Sequence, residues 1–176
     1  GSTILWMLFL VLLMMPGVAN IVTLYNILKN LNLLNTLLAI IAVGVAGGQA
    51  LQIFVLRNFI EDLPKDLFDA AEIDGASHFG KVVHVVFPLC RSIIGSLAVL
   101  MFISEWNEFI LPLIILRDSE LFTLGVGLVY LEEGASVREW GKFMASYTVA
   151  SLPLIILFLF TMKLFVRGLT SGALRG

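Results

Sequence analysis

Four neighbouring residues, Glu105, Trp106, Asn107 and Glu108, interrupt an otherwise apolar stretch of the sequence. A carboxylate inside a membrane-spanning segment is costly, and residues kept there usually serve a function. An indole face can pack on the C–H surface of a ligand, while carboxylate and amide groups can form hydrogen bonds with its polar groups. The four residues are therefore candidates for a substrate pathway. The alternative is that the two glutamates, which share a helical face, pair with another polypeptide or with helices outside this chain.

A second pattern resembles most of a phosphate-binding loop: Gly75, four residues, then Gly80 and Lys81. That loop requires Ser or Thr at the next position to hold Mg²⁺, and a buried strand before it. Here Val82 follows and an acidic helical segment precedes. The sequence therefore predicts no nucleotide site in this chain.

The remaining reactive side chains form no recognisable site. His78 and His84 are six residues apart and do not share a helical face, and no cysteine or carboxylate cluster completes a metal site. Ser77, His78 and Asp74 are adjacent in sequence, but nothing supplies an oxyanion hole or a cleft. The single cysteine excludes an internal disulfide. We predict no metal, no cofactor and no catalytic residue, and hence a protein that is not an enzyme.

The composition indicates that lipid surrounds these residues. Hydrophobic residues make up 59% of the 176 residues and charged residues 14%, against about 25% charged in a soluble domain. In lipid the backbone must satisfy its own hydrogen bonds, so a span is a helix or a barrel strand. The apolar segments are continuous rather than alternating, which favours helices. The absence of a basic stripe with interleaved aromatic residues argues against nucleic acid as a partner.

The fold class predicted is all-α, a polytopic transmembrane helical bundle. A spanning helix needs roughly 20 mostly apolar residues. We predict four spans, at residues 3–28, 31–60, 92–116 and 143–166. Gly44 and Gly48 form a small-xxx-small face that permits close helix contact. Pro112 and Pro153 lie inside the predicted third and fourth spans, where each is expected to kink its helix.

The basic residues predict the orientation of the spans, because Lys and Arg concentrate on the cytoplasmic side. Residues 57–91 and the tail at 163–176 together hold seven of them, and the two opposite loops hold four. The first and third helices would then run outward, and the second and fourth inward. Residues 61–91 and the tail at 167–176 are therefore expected in the cytoplasm.

The predicted cytoplasmic loop, residues 61–91, reads as two short helices. Pro64 suits the first turn of one helix, and Gly75 suits its stop because glycine tolerates positive φ. Ser77 can cap the next helix, and Pro88 is expected to end it.

One face of the first short helix is apolar and another acidic, so it could be a lipid-surface helix, a connector or a docking helix. The acidic face argues against anionic lipid headgroups and favours docking of a cytoplasmic partner. The residues concerned are Leu67, Phe68, Ala71 and, at the edge of the face, Ile73 for the apolar side, and Asp66, Asp69 and Glu72 for the acidic side.

The loop resembles the "EAA" loop of ABC importer permeases. Asp69-Ala70-Ala71, three residues, Gly75, nine residues and Val85-Val86-Phe87-Pro88 match the family pattern of Glu-Ala-Ala, three residues, Gly, nine residues and Ile-x-Leu-Pro in every spacing. The departures are Asp for Glu, Val for Ile and Phe for Leu. The segments 63–76, 106–109 and 165–173 are similar to the carbohydrate-importer branch, in particular to the shorter permease subunit of maltose-type importers.

The resemblance implies a permease subunit that imports mono- or oligosaccharides across a bacterial or archaeal cytoplasmic membrane, driven by ATP hydrolysis in a separate subunit. Its partners would be a second permease subunit, a cytoplasmic ATP-binding subunit dimer, an extracytoplasmic solute-binding protein, the sugar and membrane lipid. The alternatives are an importer of amino acids, peptides or polyols, and an ATP-independent transporter.

The resemblance also assigns roles to residues. Coupling to the ATPase would fall to Leu67, Phe68, Asp69, Ala70, Ala71, Gly75 and Pro88, and contact of the tail with the ATPase to Gly168, Leu169, Thr170 and Gly172. Such subunits usually have about six spans. The chain is therefore expected to correspond to the C-terminal portion of one.

Overall fold

The computed structural model describes residues 2–15, 20–134 and 140–173, with side-chain surroundings for 4–15, 20–132 and 140–162. Every regular element in these ranges is helical, which confirms the all-α prediction. The helices are α1 Ser2–Met14, α2 Ile21–Asn30, α3 Leu37–Glu61, α4 Lys65–Ile73, α5 His78–Lys81, α6 Phe87–Trp106, α7 Ile110–Ile115, α8 Leu124–Gly134 and α9 Trp140–Ala173, with a π-helical segment at Val82–Val86 and a 3₁₀ turn at Ser119–Leu121.

Three helical stretches in the described ranges are long and apolar enough to cross a membrane: Leu37–Glu61, His78–Trp106 and Trp140–Met162. Only 6%, 17% and 6% of their most apolar windows are buried within the chain. Lipid or other polypeptides must cover the rest, as expected for a membrane bundle. The sequence predicted four spans. The predicted first span, 3–28, overlaps two separate helices, α1 and α2, which lie on either side of residues 16–19, outside the described ranges.

The second predicted span, 31–60, begins later than expected, at Leu37. Asn32 and Asn35 adopt positive φ angles of 54° and 59°, a conformation that no helix can include. Thr36 then caps α3, its hydroxyl accepting a hydrogen bond from the Ala39 N–H at 3.2 Å. The chain therefore turns sharply before it enters the helix.

The third predicted span, 92–116, has different bounds in the structure. Its helix begins earlier and ends at Trp106, and α7 is a separate short helix that starts at Ile110. Pro112 is the third residue of α7, in the first turn, where a missing N–H costs little. A new helix start thus accommodates this proline, rather than a kink within one span.

Pro88 does not end the second loop helix, contrary to the prediction. α5, the π segment and α6 form one helical stretch of 29 residues from His78 to Trp106. In a regular α-helix the proline ring would clash with the carbonyl four residues earlier, at His84. His84 lies in the π segment, whose wider turn accommodates the proline and lets the helix continue.

α6 is the centre of the bundle, with α3 on one side and α9 on the other. α1 packs on α3, and α8 packs on α9. Where α1 meets α3, the Trp6 and Phe54 rings stack 5.7 Å apart, and the Arg57 guanidinium lies 4.1 Å from the centre of the Trp6 ring.

The best-buried core lies at the end of the bundle where α3 begins, and it consists of Leu28, Ala39, Ile115 and Leu116. Asn35 joins the two chain segments above this core. Its Oδ1 accepts hydrogen bonds from the N–H groups of Arg117 and Asp118, at 2.8 and 3.1 Å. Its Nδ2 donates to Asp118 Oδ2 at 2.7 Å. The α4–α5 region leaves the other end of α3.

Candidate functional site

Two short helices and a glycine turn form a helical hairpin, residues 64–81, between α3 and the π segment. Gly75 has a φ of +76° and ends α4. Its N–H bonds to the Glu72 carbonyl at 3.0 Å, and the Ala76 N–H bonds to the Ala71 carbonyl at 2.9 Å. This pair of bonds is the Schellman motif, which requires the left-handed conformation that glycine adopts without strain. The predicted helix stop is therefore confirmed.

The second arm of the hairpin starts where the sequence predicted. Ser77 caps α5, its Oγ accepting a hydrogen bond from the Gly80 N–H at 3.1 Å. Across the hairpin, Lys81 Nζ lies 2.6 Å from Glu72 Oε2. The hydrogen bond from Lys81, and then its positive charge, lower the pKa of the Glu72 carboxyl below the ordinary value of 4.5. The turn, the cap and the ion pair together fix α4 relative to α5.

The predicted apolar anchors of α4 differ in their exposure. Leu67 is exposed, whereas Phe68 and Ala71 are half-buried against the chain itself. The most exposed large apolar side chains of the hairpin are Ile73 and Phe79, at 87% and 77%. Phe79 was not predicted, although an aromatic residue within a short polar loop is a signal that could have identified it. Asp69, Ala70 and Pro88, also predicted to act in coupling, are exposed.

The four polar residues at the end of α6 divide between two clefts. Glu105 and Glu108 line a cleft of about 350 Å³ against α2 and α3. Trp106 and Asn107 line another, of about 330 Å³, against α8 and α9. The sequence predicted one group, but successive helical residues lie about 100° apart and so face different neighbours.

We call the cleft lined by Glu105 and Glu108 the glutamate cleft. α3 approaches α6 closely because the residues that α3 places beside this cleft are glycines. A Cβ atom on Gly44 would lie 2.6 Å from Glu105 Oε2, whereas one on Gly47 would meet nothing within 4 Å. One turn further on, Gly48 faces Met101. The predicted glycine face is therefore confirmed as the contact between these two helices.

Two of the polar residues, Asn107 and Glu108, also form hydrogen bonds that stabilise the end of α6 and the start of α7. Glu108 Oε1 accepts a hydrogen bond from the Leu111 N–H at 3.0 Å. Asn107 Nδ2 donates to the Ile103 carbonyl at 2.7 Å. The Glu105 side chain lies in the cleft, where its Oε2 is beside Gly44 of α3.

The predicted tail residues Gly168, Leu169, Thr170 and Gly172 lie on the backbone of α9, which continues to Ala173. The predicted span ended at residue 166, and the helix extends beyond it because no proline follows Pro153 to interrupt it. The side chains of these four residues fall outside the described part of the structure. No three histidine, cysteine or acidic side chains gather as a metal site within the described ranges.

Residues 1–171 match the family model of the binding-protein-dependent transport system inner membrane component. The chain is 32% identical over its whole length to the arabinooligosaccharides transport system permease protein AraQ of Halalkalibacterium halodurans, and covers 62% of that protein. It is 33% identical, also over its whole length, to the trehalose/maltose transport system permease protein MalG of Thermococcus litoralis, and covers 63% of it.

A third relative is the sn-glycerol-3-phosphate transport system permease protein UgpE of Shigella flexneri, 33% identical over 95% of this chain and 59% of that protein. The chain thus spans about three fifths of the length of these curated relatives. The match to the family model covers nearly every residue, including α4, the glycine turn and the membrane-length helices. The chain belongs to the family of binding-protein-dependent transport system inner membrane components.

Proposed function

We propose that the chain is a permease subunit of an ABC importer for mono- or oligosaccharides, driven by ATP hydrolysis in a separate subunit. The observation that carries this proposal is the hairpin at residues 64–81, a braced structure attached directly to two membrane-length helices. A permease without its own nucleotide site must receive motion through such a contact. The complete transporter would add a second permease subunit, an ATP-binding subunit dimer and an extracytoplasmic solute-binding protein.

Within this proposal the hairpin docks on the cytoplasmic ATPase. Ile73 and Phe79 are the best anchors, because exposed apolar side chains gain most from entering a groove. Leu67 would add to them, and Phe68 and Ala71 would support the helix from inside the hairpin. Asp69 would meet a basic residue at the rim of the groove.

The orientation required for this docking has a direct test. Single cysteines at Ser77 and Ser119, each in a Cys90→Ala background, report the two ends of the bundle in intact cells. An impermeant thiol reagent added outside should label position 119 and leave position 77 unlabelled. Labelling of position 77 from outside contradicts the proposal.

The tail is proposed as a second contact with the ATPase dimer, on the strength of the family resemblance. Deletion of residues 169–176 should leave membrane insertion unchanged and weaken substrate-stimulated ATP hydrolysis in the complete complex. Unchanged stimulation would remove Leu169, Thr170 and Gly172 from the coupling role.

The glutamate cleft is the better candidate for the substrate pathway on this chain. Glu105 and Glu108 can accept hydrogen bonds from sugar hydroxyls, and Gly44 and Gly47 leave room beside them. We propose neutral sugars as the substrates, because their hydroxyl groups can form hydrogen bonds with carboxyl groups. The relatives named for arabinooligosaccharides and for trehalose/maltose support a sugar.

The experiment that tests the function is uptake by proteoliposomes that contain all the subunits, the solute-binding protein and internal ATP. A panel of labelled neutral oligosaccharides is compared with amino acids, peptides, polyols and a sugar phosphate. Uptake of a neutral sugar that requires ATP supports the proposal. Equal uptake without ATP, or uptake confined to another solute class, overturns it.

A further inference from the structure

The helix that leaves the hairpin contains one irregular turn, the π segment Val82–Val86. The Phe87 N–H bonds to the Val82 carbonyl, five residues back rather than four. π turns are rare, occur mostly as single turns within α-helices and are frequent at functional sites. This one stands at the junction between the hairpin and the membrane-length part of the helix.

The sequence supplies a reason for the irregular turn to persist. Pro88 has no N–H to donate to the carbonyl of His84, and its ring would press on that carbonyl in a regular helix. Closing the π turn into an α turn would restore that clash. Pro88 therefore keeps open a turn that the surrounding valines alone would not require.

The chain on each side of the π segment is held by its own contacts. On the hairpin side, the Gly75 turn, the Ser77 cap and the Glu72–Lys81 pair hold α4 and α5 together. On the membrane side, α6 packs against both α3 and α9, with Cys90 buried.

The π segment lies between these two bodies with Val82, Val83 and His84 exposed. A displacement of the hairpin would thus concentrate at the segment, where the regular hydrogen-bond pattern of the α-helix is interrupted.

We propose that Val82–Val86 is a mechanical joint, at which the hairpin pivots relative to α6 and which Pro88 keeps open. This inference rests on the proposed function, because the ATPase would drive the pivot. It goes beyond docking: it assigns to Pro88 and the π turn the conversion of hairpin displacement into motion of α6. The end of α6 carries Glu105, so the motion reaches the glutamate cleft.

The variant that tests the joint is Pro88→Ala, since alanine restores the donor and favours a regular helix. The matched control is Pro153→Ala, which also removes a proline from a helix interior, in α9, away from the joint. Spin labels at Lys65 in α4 and Ala98 in α6, in a Cys90→Ala background, report the pivot. Distances are measured in the complete complex without nucleotide and with trapped ATP.

In the parent and in Pro153→Ala, we expect the distance distribution between the labels to change with ATP. In Pro88→Ala we expect one distribution in both states, uptake at least about tenfold lower and retained co-purification of the ATPase. The same ATP-dependent change and the parent uptake rate in Pro88→Ala would overturn the joint.

A second measurement does not depend on the ATPase. Amide hydrogen exchange of residues 82–87 in the membrane-embedded chain should be at least about tenfold slower in Pro88→Ala than in the parent, as the turn closes. Equal exchange overturns the joint. If no ATPase co-purifies with the parent chain, the proposed function fails while this exchange comparison still decides the inference.

Discussion

Lys81 Nζ lies 2.6 Å from Glu72 Oε2, so an ion pair joins α4 to the first turn of the membrane-length helical stretch that starts at His78. The two residues are nine positions apart, on opposite sides of the Gly75 turn. The pair therefore helps to hold α4 in its orientation relative to α5, although the bond between the two side chains is exposed.

The first prediction concerns the pH at which this pair is lost. The pKa of Glu72 is lowered, so the stabilisation is present above the unfolded-state value of 4.5 and disappears as pH falls through the lower folded-state value. In carboxyl-labelled protein in nanodiscs, NMR should place the Glu72 midpoint below 4.5. Lys81→Met should return the midpoint toward 4.5, and an unaltered midpoint would show that Lys81 is not the cause.

The second prediction concerns the anchors of the hairpin. Burying a large apolar side chain contributes about 1.5–3 kcal/mol, so Ile73→Ser or Phe79→Ser should weaken ATPase binding roughly tenfold or more. Val22→Ser is the matched control, because Val22 is 73% exposed at the opposite end of the bundle. Binding is measured by titrating purified ATPase onto the permease in nanodiscs. Equal losses in all three variants would contradict the assignment.

The third prediction separates two glycines of α3. Gly44→Ala places a methyl group 2.6 Å from Glu105 Oε2, and the flexible carboxylate must move away. Gly47→Ala meets nothing within 4 Å. Both variants should fold, and Gly44→Ala should alter sugar uptake more than Gly47→Ala, chiefly through a raised half-saturation concentration. If Gly44→Ala takes up sugar with the half-saturation concentration of the parent, the glutamate cleft is not the pathway.

The fourth prediction concerns the three hydrogen bonds that Asn35 makes with Arg117 and Asp118. Asn35→Ala removes three exposed hydrogen bonds, each worth about 0.5–1.5 kcal/mol. Asn32→Ala replaces the same residue type at a similar positive φ, so it controls for backbone strain. Thermal unfolding in detergent should show Asn35→Ala less stable than Asn32→Ala by about 1–3 kcal/mol. Equal stability of the two variants would mean that these hydrogen bonds contribute nothing to the free energy of unfolding.

Local features of the fold could be predicted from the sequence. The length of the apolar runs indicated the membrane-length helices, and the chemistry of Gly75 and Ser77 indicated the stop of α4 and the start of α5. Each of these depends on residues within a few positions of one another. Short-range rules therefore suffice for the hairpin.

Features that depend on tertiary structure could not be predicted from the sequence. Pro88 was predicted to end a helix, because the rule for proline does not anticipate a π turn. Trp106 and Glu105 are neighbours in sequence, yet they face α9 and α3, and only the packing of the bundle shows this. Asn35 bonds to Asp118 across 83 positions, a pairing that no local pattern indicates.

We propose that the hairpin transmits the motion driven by ATP hydrolysis to the membrane helices. Substitution of Gly75 tests this proposal most directly. No atom of this chain lies within 4 Å of a Cβ at this position, so within the chain a substitution there acts through φ. A left-handed conformation costs an ordinary residue about 1–2 kcal/mol, and asparagine less. The decisive measurement is ATP-driven sugar uptake by the complete complex carrying Gly75→Asn or Gly75→Val.

We expect both variants to insert normally, with Gly75→Asn close to the parent rate and Gly75→Val at least about tenfold slower, through failed ATPase assembly or failed coupling. Asp69→Ala should have a smaller effect, since an exposed ion pair contributes about 0–1 kcal/mol. Parent-level ATPase binding and uptake in Gly75→Val would contradict the account, because the hairpin would then not be the coupling element.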